Sequence, residues 1–365
     1  EATPYIYDMR LLPLNMFLLV CLLSAFPALP PSSQAQGLQK SVITPPFAYN
    51  DAPNLMESSK GIFLYWSAGS GEGKVDVTIQ QSHFDGSAWS NPRQVAHHVE
   101  SRRGVLLACW NPVPVQGPNG QTALFYQVGS SRQAWKGNVM FSYDGGHSWL
   151  NERSLPNGIH GPTKNKPILM PDGRFLCPSS NEEAGWRVQL EWATPFRERW
   201  GWNKTKPLNS STEYRATDPV VLVHDDEDIQ VLCRTKQGYM AELWSHNGGK
   251  SWEAMQRGPL PNPNASFDAI RLKDGRFAMV YSHSGWKADR MNLAFSENGR
   301  DWEAAAILDQ NEAHRFDHPT MIQTGDGQLH IVFSVNSQRF HHLRLDPGAL
   351  KTAPIVNQIW PLQIK

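Results

Sequence analysis

A repeat of about fifty residues constrains this chain more than any other feature. Six segments set a polar residue before Pro or Ala and continue into an apolar run: Asp51–Met56, Trp110–Val115, Asn165–Met170, Thr217–Leu222, Phe267–Leu272 and Asp317–Ile322. Aligning Pro53, Pro112, Pro167, Pro219, Ala269 and Pro319 gives intervals of 59, 55, 52, 50 and 50 residues. After a turn, each segment is followed by a second apolar run: Gly61–Trp66, Thr122–Gln127, Arg174–Cys177, Ile229–Cys233, Arg276–Tyr281 and Gln328–Phe333. Three of those turns read Asp-Gly, at 172–173, 274–275 and 326–327, a strong hairpin signal. A third run alternates apolar and polar residues in every copy, as in Asn138–Ser142 and Met291–Ser296. Six copies of three strands, each with a weaker fourth, predict an all-β fold, a six-bladed β-propeller of four-stranded antiparallel blades. The last copy lacks its fourth strand, and Lys40–Phe47 is expected to close the ring. A length of 365 residues suits two or three average domains, but the repeat makes 36–365 a single one.

The turn after the third strand carries its own signature. Ser142-Tyr-Asp144-Gly-Gly146-His-Ser-Trp149 fits S-x-D-x-G-x-x-W in full. Ser245–Trp252 has Asn247 in place of Asp, and Ser296–Trp302 is one residue shorter. Degenerate copies end at Trp89 and Trp200. An Asp or Asn side chain caps backbone N–H groups of such a turn, Gly adopts a conformation closed to other residues, and Trp packs between sheets. These residues therefore read as scaffold. Five of the 14 Trp (89, 149, 200, 252 and 302) keep the period, at intervals of 60, 51, 52 and 50.

Charge narrows the partners. Lys+Arg number 34 and Asp+Glu number 34, so there is no basic excess to neutralise a phosphate backbone, and nucleic acid is excluded as a partner. Near the start, Met9-Arg10 precedes an almost wholly apolar run, Leu11–Leu29, and Ser33-Gln-Ala35 supplies a small-x-small pattern. This reads as a secretory signal peptide within 1–35, cleaved near Ala35, and predicts a secreted or periplasmic protein with no membrane association afterwards. A membrane anchor is the weaker alternative, since Pro13 and Pro27 interrupt the run. Cys109, Cys177 and Cys233 are widely spaced, without metal-ligand spacing, and read as buried apolar residues; no metal and no cofactor is expected.

The S-x-D-x-G-x-x-W turns resemble the Asp-boxes of the sialidase (neuraminidase) superfamily, whose members are six-bladed propellers. A closer resemblance covers nearly the whole of 36–365. Cys109-Trp-Asn-Pro112, Leu124-Phe-Tyr126, Gly161-Pro-Thr-Lys-Asn-Lys-Pro167 and Pro178-Ser-Ser-Asn-Glu182 with Trp186-Arg187 are similar to the BNR-repeat-like sialidase family. So are Asp268 with Asp274-Gly-Arg276, and Arg290 with Ser296. Two expected features differ. Ala52-Pro53-Asn54 stands where the family has Arg-Ile-Pro, and His318 stands where it has a tyrosine nucleophile, leaving Tyr214 and Tyr239 as candidates by their nearness in sequence to Arg234.

Antiparallel blades put the heads of the inner strands and the loops between second and third strands at one end of the ring. That end is expected to gather Asp51, Asn111, Lys166, Asp218, Asp268 and His318 with Glu72, Trp135, Glu182, Arg187, Arg234, His283, Trp286 and Arg339. Carboxylates, guanidinium groups and aromatic rings in one concavity suit a carbohydrate that bears a carboxylate. Glu72, Glu182, Asp268 and His318 are the expected catalytic residues. Asn111, Lys164, Lys166, Arg187, Asp218, Arg234, Arg315, Trp135 and Trp286 are the expected substrate-binding ones. The resemblance implies a substrate-carboxylate role for Arg234, assisted by Arg187 or Arg315, and an acid role for Glu72, with Glu182 or Asp268 opposite it. Three readings stand at this point: a monomeric secreted exo-glycosidase that removes terminal acidic sugars; a polysaccharide lyase with His318 or His283 as base; or a glycan-binding propeller without turnover.

Overall fold

The computed structural model describes residues 38–100, 104–117, 120–183, 185–195, 199–362 and 364. The expected signal peptide lies outside them. Six antiparallel sheets follow the six sequence repeats, each running from an inner strand outward. Blade 1 is Tyr49–Ser58, Gly61–Gly69, Thr78–Phe84 and Arg93–Ala96; blade 2 is Cys109–Gln116, Thr122–Val128, Lys136–Ser142 and Leu150–Ser154. Blade 3 is Ile168–Leu169, Phe175–Asn181, Arg187–Thr194 and Gly201–Lys204; blade 4 is Ala216–Val223, Asp228–Thr235, Tyr239–His246 and Gln256–Pro261. Blade 5 is Asp268–Arg271, Phe277–Tyr281, Arg290–Ser296 and Glu303–Gln310, to which Ala353–Pro354 adds an unexpected fifth strand. Blade 6 is Phe316–Gln323, Leu329–Val335 and Arg339–Leu345. Its outer strand is Gln39–Ile43, paired antiparallel to Arg339–Leu345, so the N-terminal segment closes the ring as expected.

Alternation along the strands makes the core. In Gly61–Gly69, Phe63 and Tyr65 point to blade 2, while Leu64 and Trp66 point to blade 6. Each of the six seams between neighbouring blades is thereby filled by its own apolar cluster. The periodic Trp residues are the wedges. Trp149 packs against the blade 1–2 seam, Trp200 the 2–3 seam, Trp252 the 3–4 seam, Trp302 the 4–5 seam and Trp89 the 6–1 seam. Blade 6 carries no such Trp, and at the 5–6 seam Leu350 takes the place. The turn before Trp149 is held locally: Ser142 Oγ accepts from Gly146 N at 2.8 Å, and Asp144 Oδ1 accepts from Ser148 N at 2.9 Å. The Asp172-Gly173 turn closes with Gly173 N donating to Met170 O at 2.9 Å, with Gly173 at φ 82°, which glycine alone adopts without strain.

One irregularity recurs and decides what faces the axis. In blades 1, 2, 4 and 6 the head of the inner strand carries one extra residue relative to its partner, between Asp51 and Asn54, Trp110 and Val113, Thr217 and Val220, and Asp317 and Thr320. Within each bulge one residue is left-handed: Ala52 at φ 51°, Asn111 at 47°, Asp218 at 49° and His318 at 46°. Asn, Asp and His are the side chains that tolerate this region best after Gly. The preceding carboxylates help, since Asp51 Oδ1 accepts from Ala52 N and Asp317 Oδ1 from His318 N, both at 2.9 Å. A proline follows each left-handed residue, at 53, 112, 219 and 319, where the innermost strand has no further neighbour for an N–H to serve.

Candidate functional site

The four bulges lie at the end of the axis where the sequence predicts a binding funnel. Asp51, Asp218, Asp317 and His318, with side chains from the loops between second and third strands, form a network of charge that is buried at its centre and exposed at its edge. At its centre His318 Nδ1 meets Asp51 Oδ1 at 2.9 Å, and Asp51 Oδ2 accepts from Ser337 Oγ at 2.9 Å. Burial opposes the imidazolium, but the charges of Asp51 and Asp317 prevail and raise His318 above its ordinary value. For Asp51 the balance has the same outcome: burial favours the neutral acid, and His318 pulls it below the usual carboxylate range. No hydrogen-bond partner for His318 Nε2 appears among the described residues.

Three arginines surround this pair. Arg234 donates through Nε to Asp218 Oδ2 at 2.8 Å and through one terminal nitrogen to Asn264 O and Oδ1 at 3.0 and 3.1 Å. Its guanidinium carbon lies 5.3 Å from the ring of Trp186, a left-handed residue at φ 62°. Asp218 also accepts from Ser266 Oγ at 2.8 Å; burial would raise it, yet Arg234 and His318 hold it low. Arg315 pairs with Asp317, and its side chain is 58% exposed. Arg132 is the third. It donates to Glu72 Oε1 at 2.9 Å and lies 3.9 Å from Glu182 Oε1, and its charge acts on His318 and is itself stabilised by Asp218.

The predicted residues do not all converge. Glu72, Glu182, Asp218, Arg234, Arg315 and His318 belong to the network. Asn111 lies on its wall, donating to Thr163 O at 2.8 Å. Lys164 reaches across the axis and spends its ammonium on Asn165 Oδ1, Phe267 O and Pro319 O at 2.9, 3.2 and 2.6 Å, so it cross-links three blades. Asp268 is buried and accepts from Met321 N at 2.8 Å, tying the inner strands of blades 5 and 6. Lys166 turns away toward the opposite end, where it donates to Thr320 Oγ1 at 2.8 Å. Arg187 donates to Asn209 O at 2.6 Å. Trp135 packs on Trp110 with centroids 5.7 Å apart, and Trp286 stands 88% exposed on a loop of blade 5.

Other candidates are engaged elsewhere. His283 has both nitrogens in use, with Tyr281 Oη at 2.6 Å and Gln358 O at 3.0 Å, and burial pushes it down to about 4. Tyr214 packs against the blade 3–4 core, and Tyr239 lies under Arg257 at 4.5 Å. The residues that sequence reasoning missed are Arg132 and Asp317. Arg132 sits in the same loop as Trp135, with no periodic signal around it, whereas Asp317 stood directly before His318 in an aligned strand.

Residues 60–331 match the family model of the BNR repeat-like domain. The chain belongs to the BNR repeat-like family. Solved structures agree on the fold of this BNR-repeat propeller. A protein of unknown function from Dyadobacter fermentans is 14% identical with a TM-score of 0.66, over 85% of this chain and 99% of that one. The NanB sialidase of Streptococcus pneumoniae is 13% identical with a TM-score of 0.64, over 90% and 72%. The sialidase of Trypanosoma rangeli is 12% identical with a TM-score of 0.65, over 87% of this chain and 60% of that one. At these identities the likeness is one of fold. Among curated protein sequences, none matches.

Proposed function

We propose that this sialidase-like propeller is a secreted glycoside hydrolase that removes terminal acidic sugars at its axial funnel. The observation that carries this reading is the bracket Glu72–Arg132–Glu182 above the Asp51–His318 pair. Two contacts and the width of one guanidinium set an upper limit of about 9 Å on the separation of the two carboxylates, no wider than the widest pairs that cleave glycosidic bonds. Glu72, 56% exposed at its side chain, is the acid that meets the leaving oxygen, and Glu182, 11% exposed, faces it across Arg132. Arg234 and Arg315 take the sugar carboxylate, a role that the planar guanidinium fork suits. His318, shifted toward its protonated form by Asp51 and Asp317, donates from Nε2 to the bound sugar.

The histidine geometry weighs against a lyase. Such an enzyme needs a neutral base, whereas His318 is shifted toward its protonated form and both His283 nitrogens are occupied. The test is the intact protein on fluorogenic sialosides and uronides, beside Glu72→Gln and Arg234→Ala. Loss of a general acid costs about 10²–10⁴ in rate. Glu72→Gln is expected to fall by that much, and Arg234→Ala to raise KM for the acidic substrate. An unsaturated ultraviolet-absorbing product, or full turnover in both variants, refutes the assignment.

A further inference from the structure

The end of the axis opposite the bulges holds a cavity of about 580 Å³. That volume lies within the range typical of small-molecule sites. It is bounded by the tails of the inner strands of blades 1, 2, 3 and 6, at Leu55 and Met56, Val115, Leu169 and Ile322, and by Phe175 at the start of the second strand of blade 3. Its walls are mixed, with Ser58, Ser59, Gln116 and Gln323 beside the apolar side chains, and Leu169, 48% exposed, stands at the mouth. Lys166 reaches into this setting from the axis. Glu57 is the acidic residue of the lining, and its two oxygens are taken by Gly325 N at 2.9 and 3.0 Å.

Lys166 is poorly served as a cation. Among the described residues its one hydrogen-bond acceptor is Thr320 Oγ1, at 2.8 Å, and it makes no ion pair with any of their carboxylates. Thr320 Oγ1 also accepts from Leu55 N at 3.2 Å and donates to Asn54 Oδ1 at 3.4 Å. The bond to Lys166 therefore uses one N–H of the amine, leaving the remaining N–H and, in the neutral form, the lone pair for the cavity. Burial, aided by the charge of neighbouring Lys164 and opposed by Asp268, pushes Lys166 down to about 8. Desolvation beside a second cation is a recognised way of making a lysine nucleophilic near neutral pH.

From the cavity and the amine together, we infer that Lys166 is a covalent capture site for a small uncharged carbonyl compound, an aldehyde or ketone. Among the described residues the lining holds no second cation or guanidinium fork for a carboxylate, and its Glu57 disfavours anions; a neutral carbonyl fits both conditions. The step balances without a redox partner. The amine lone pair forms a bond to the carbonyl carbon, and the C=O π pair moves to oxygen. The nitrogen then loses its protons as that oxygen leaves as one water, giving a C=N bond. The site is separate from the funnel and does not depend on the function proposed for it.

The test is benzaldehyde with sodium cyanoborohydride on the intact protein at pH 7.5, read by peptide mapping. At that pH an amine titrating near 8 is deprotonated far more often than an ordinary lysine, so Lys166 is expected to label at least about tenfold faster than exposed Lys60 and Lys250. Lys166→Met removes the fast adduct. Leu169→Trp, a substitution at the solvent-facing mouth, narrows access and slows it while surface rates stay unchanged. Labelling of Lys166 no faster than Lys60 in the unaltered protein overturns the inference. So does an adduct rate indifferent to Leu169→Trp.

Discussion

Acid should loosen the ring where its two ends meet. At that seam His330 Nδ1 and His342 Nε2 are 3.0 Å apart, and Trp89 Nε1 donates to His342 Nδ1 at 3.2 Å. The indole N–H fixes the tautomer. His342 accepts at Nδ1, carries its proton on Nε2 and donates to His330, so both rings are neutral and a proton on either sets two donors face to face. Ser41 of the closing strand lies directly opposite His342, and Phe84 packs on both rings with centroids 6.0 and 5.1 Å away. Burial and the Arg344 charge push His330 down to about 4, against the opposition of Asp326; burial, His330 and Arg344 push His342 down to about 3. Both rings thus have folded values below the unfolded 6.5. Above that value neither state binds the proton and stability is full. As pH falls from 6.5 toward 4 the unfolded chain takes up protons that the folded one refuses, and stability is lost. At 1.36 kcal/mol per pH unit, His330 alone amounts to about 3 kcal/mol in all, and to about 2 kcal/mol over the interval from pH 7.0 to 4.5. Urea unfolding at pH 7.0, 5.5 and 4.5, followed by tryptophan fluorescence, measures the loss. His330→Gln, neutral throughout and still able to accept from His342, is expected to lose roughly 1–2 kcal/mol less than the unaltered protein across that interval. Parallel stability curves for the two proteins would refute the neutral-pair argument.

Two further outcomes test the scaffold. Asp144→Ala removes the acceptor for Ser142 Oγ at 2.8 Å, Ser148 N at 2.9 Å and Ser148 Oγ at 2.6 Å, and should cost roughly 1–2 kcal/mol in a thermal melt without altering any funnel activity. Cys109, Cys177 and Cys233 are buried free thiols, with burial raising all three and Cys109 reaching about 12, so iodoacetamide should modify them only after unfolding.

The ring was legible because its makers are large, periodic residues. Pro53, Pro112, Pro219 and Pro319 mark equivalent points, and Trp89, Trp149, Trp200, Trp252 and Trp302 each fill a seam, so spacing alone announced six blades and the closing strand. The site was half legible. Alignment of the strand heads found Asp218 and His318, but nothing in the sequence said that they sit in bulges, because no glycine occupies the left-handed positions. Lys164 and Lys166 stand two residues apart, and alternation along an extended chain would give them one face. They diverge because the regular inner strand of blade 3 begins only at Ile168. Arg132 was invisible for a different reason: a loop has no period, and its partners Glu72 and Glu182 lie in the loops of the two flanking blades.

The charge balance of the funnel limits how an acidic sugar can be held there. Arg132, Arg234 and Arg315 are each already matched by a carboxylate, and Lys164 is spent on carbonyls and an amide. An incoming carboxylate therefore exchanges partners and does not fill a vacant cationic hole. Exchange is easiest where the guanidinium is exposed and hardest where it is buried and multiply bound. Arg315 meets the first description, with one ion pair to Asp317 and a largely exposed side chain, while Arg234 meets the second, held by Asp218 and by Asn264 twice. Under the function proposed above, Arg315 would move to meet the sugar carboxylate, and Arg234 would bind it from a fixed position. Arg132 is divided between Glu72 and Glu182 and affects both at once, so a sugar that drew it away would release the two carboxylates at the moment they are needed.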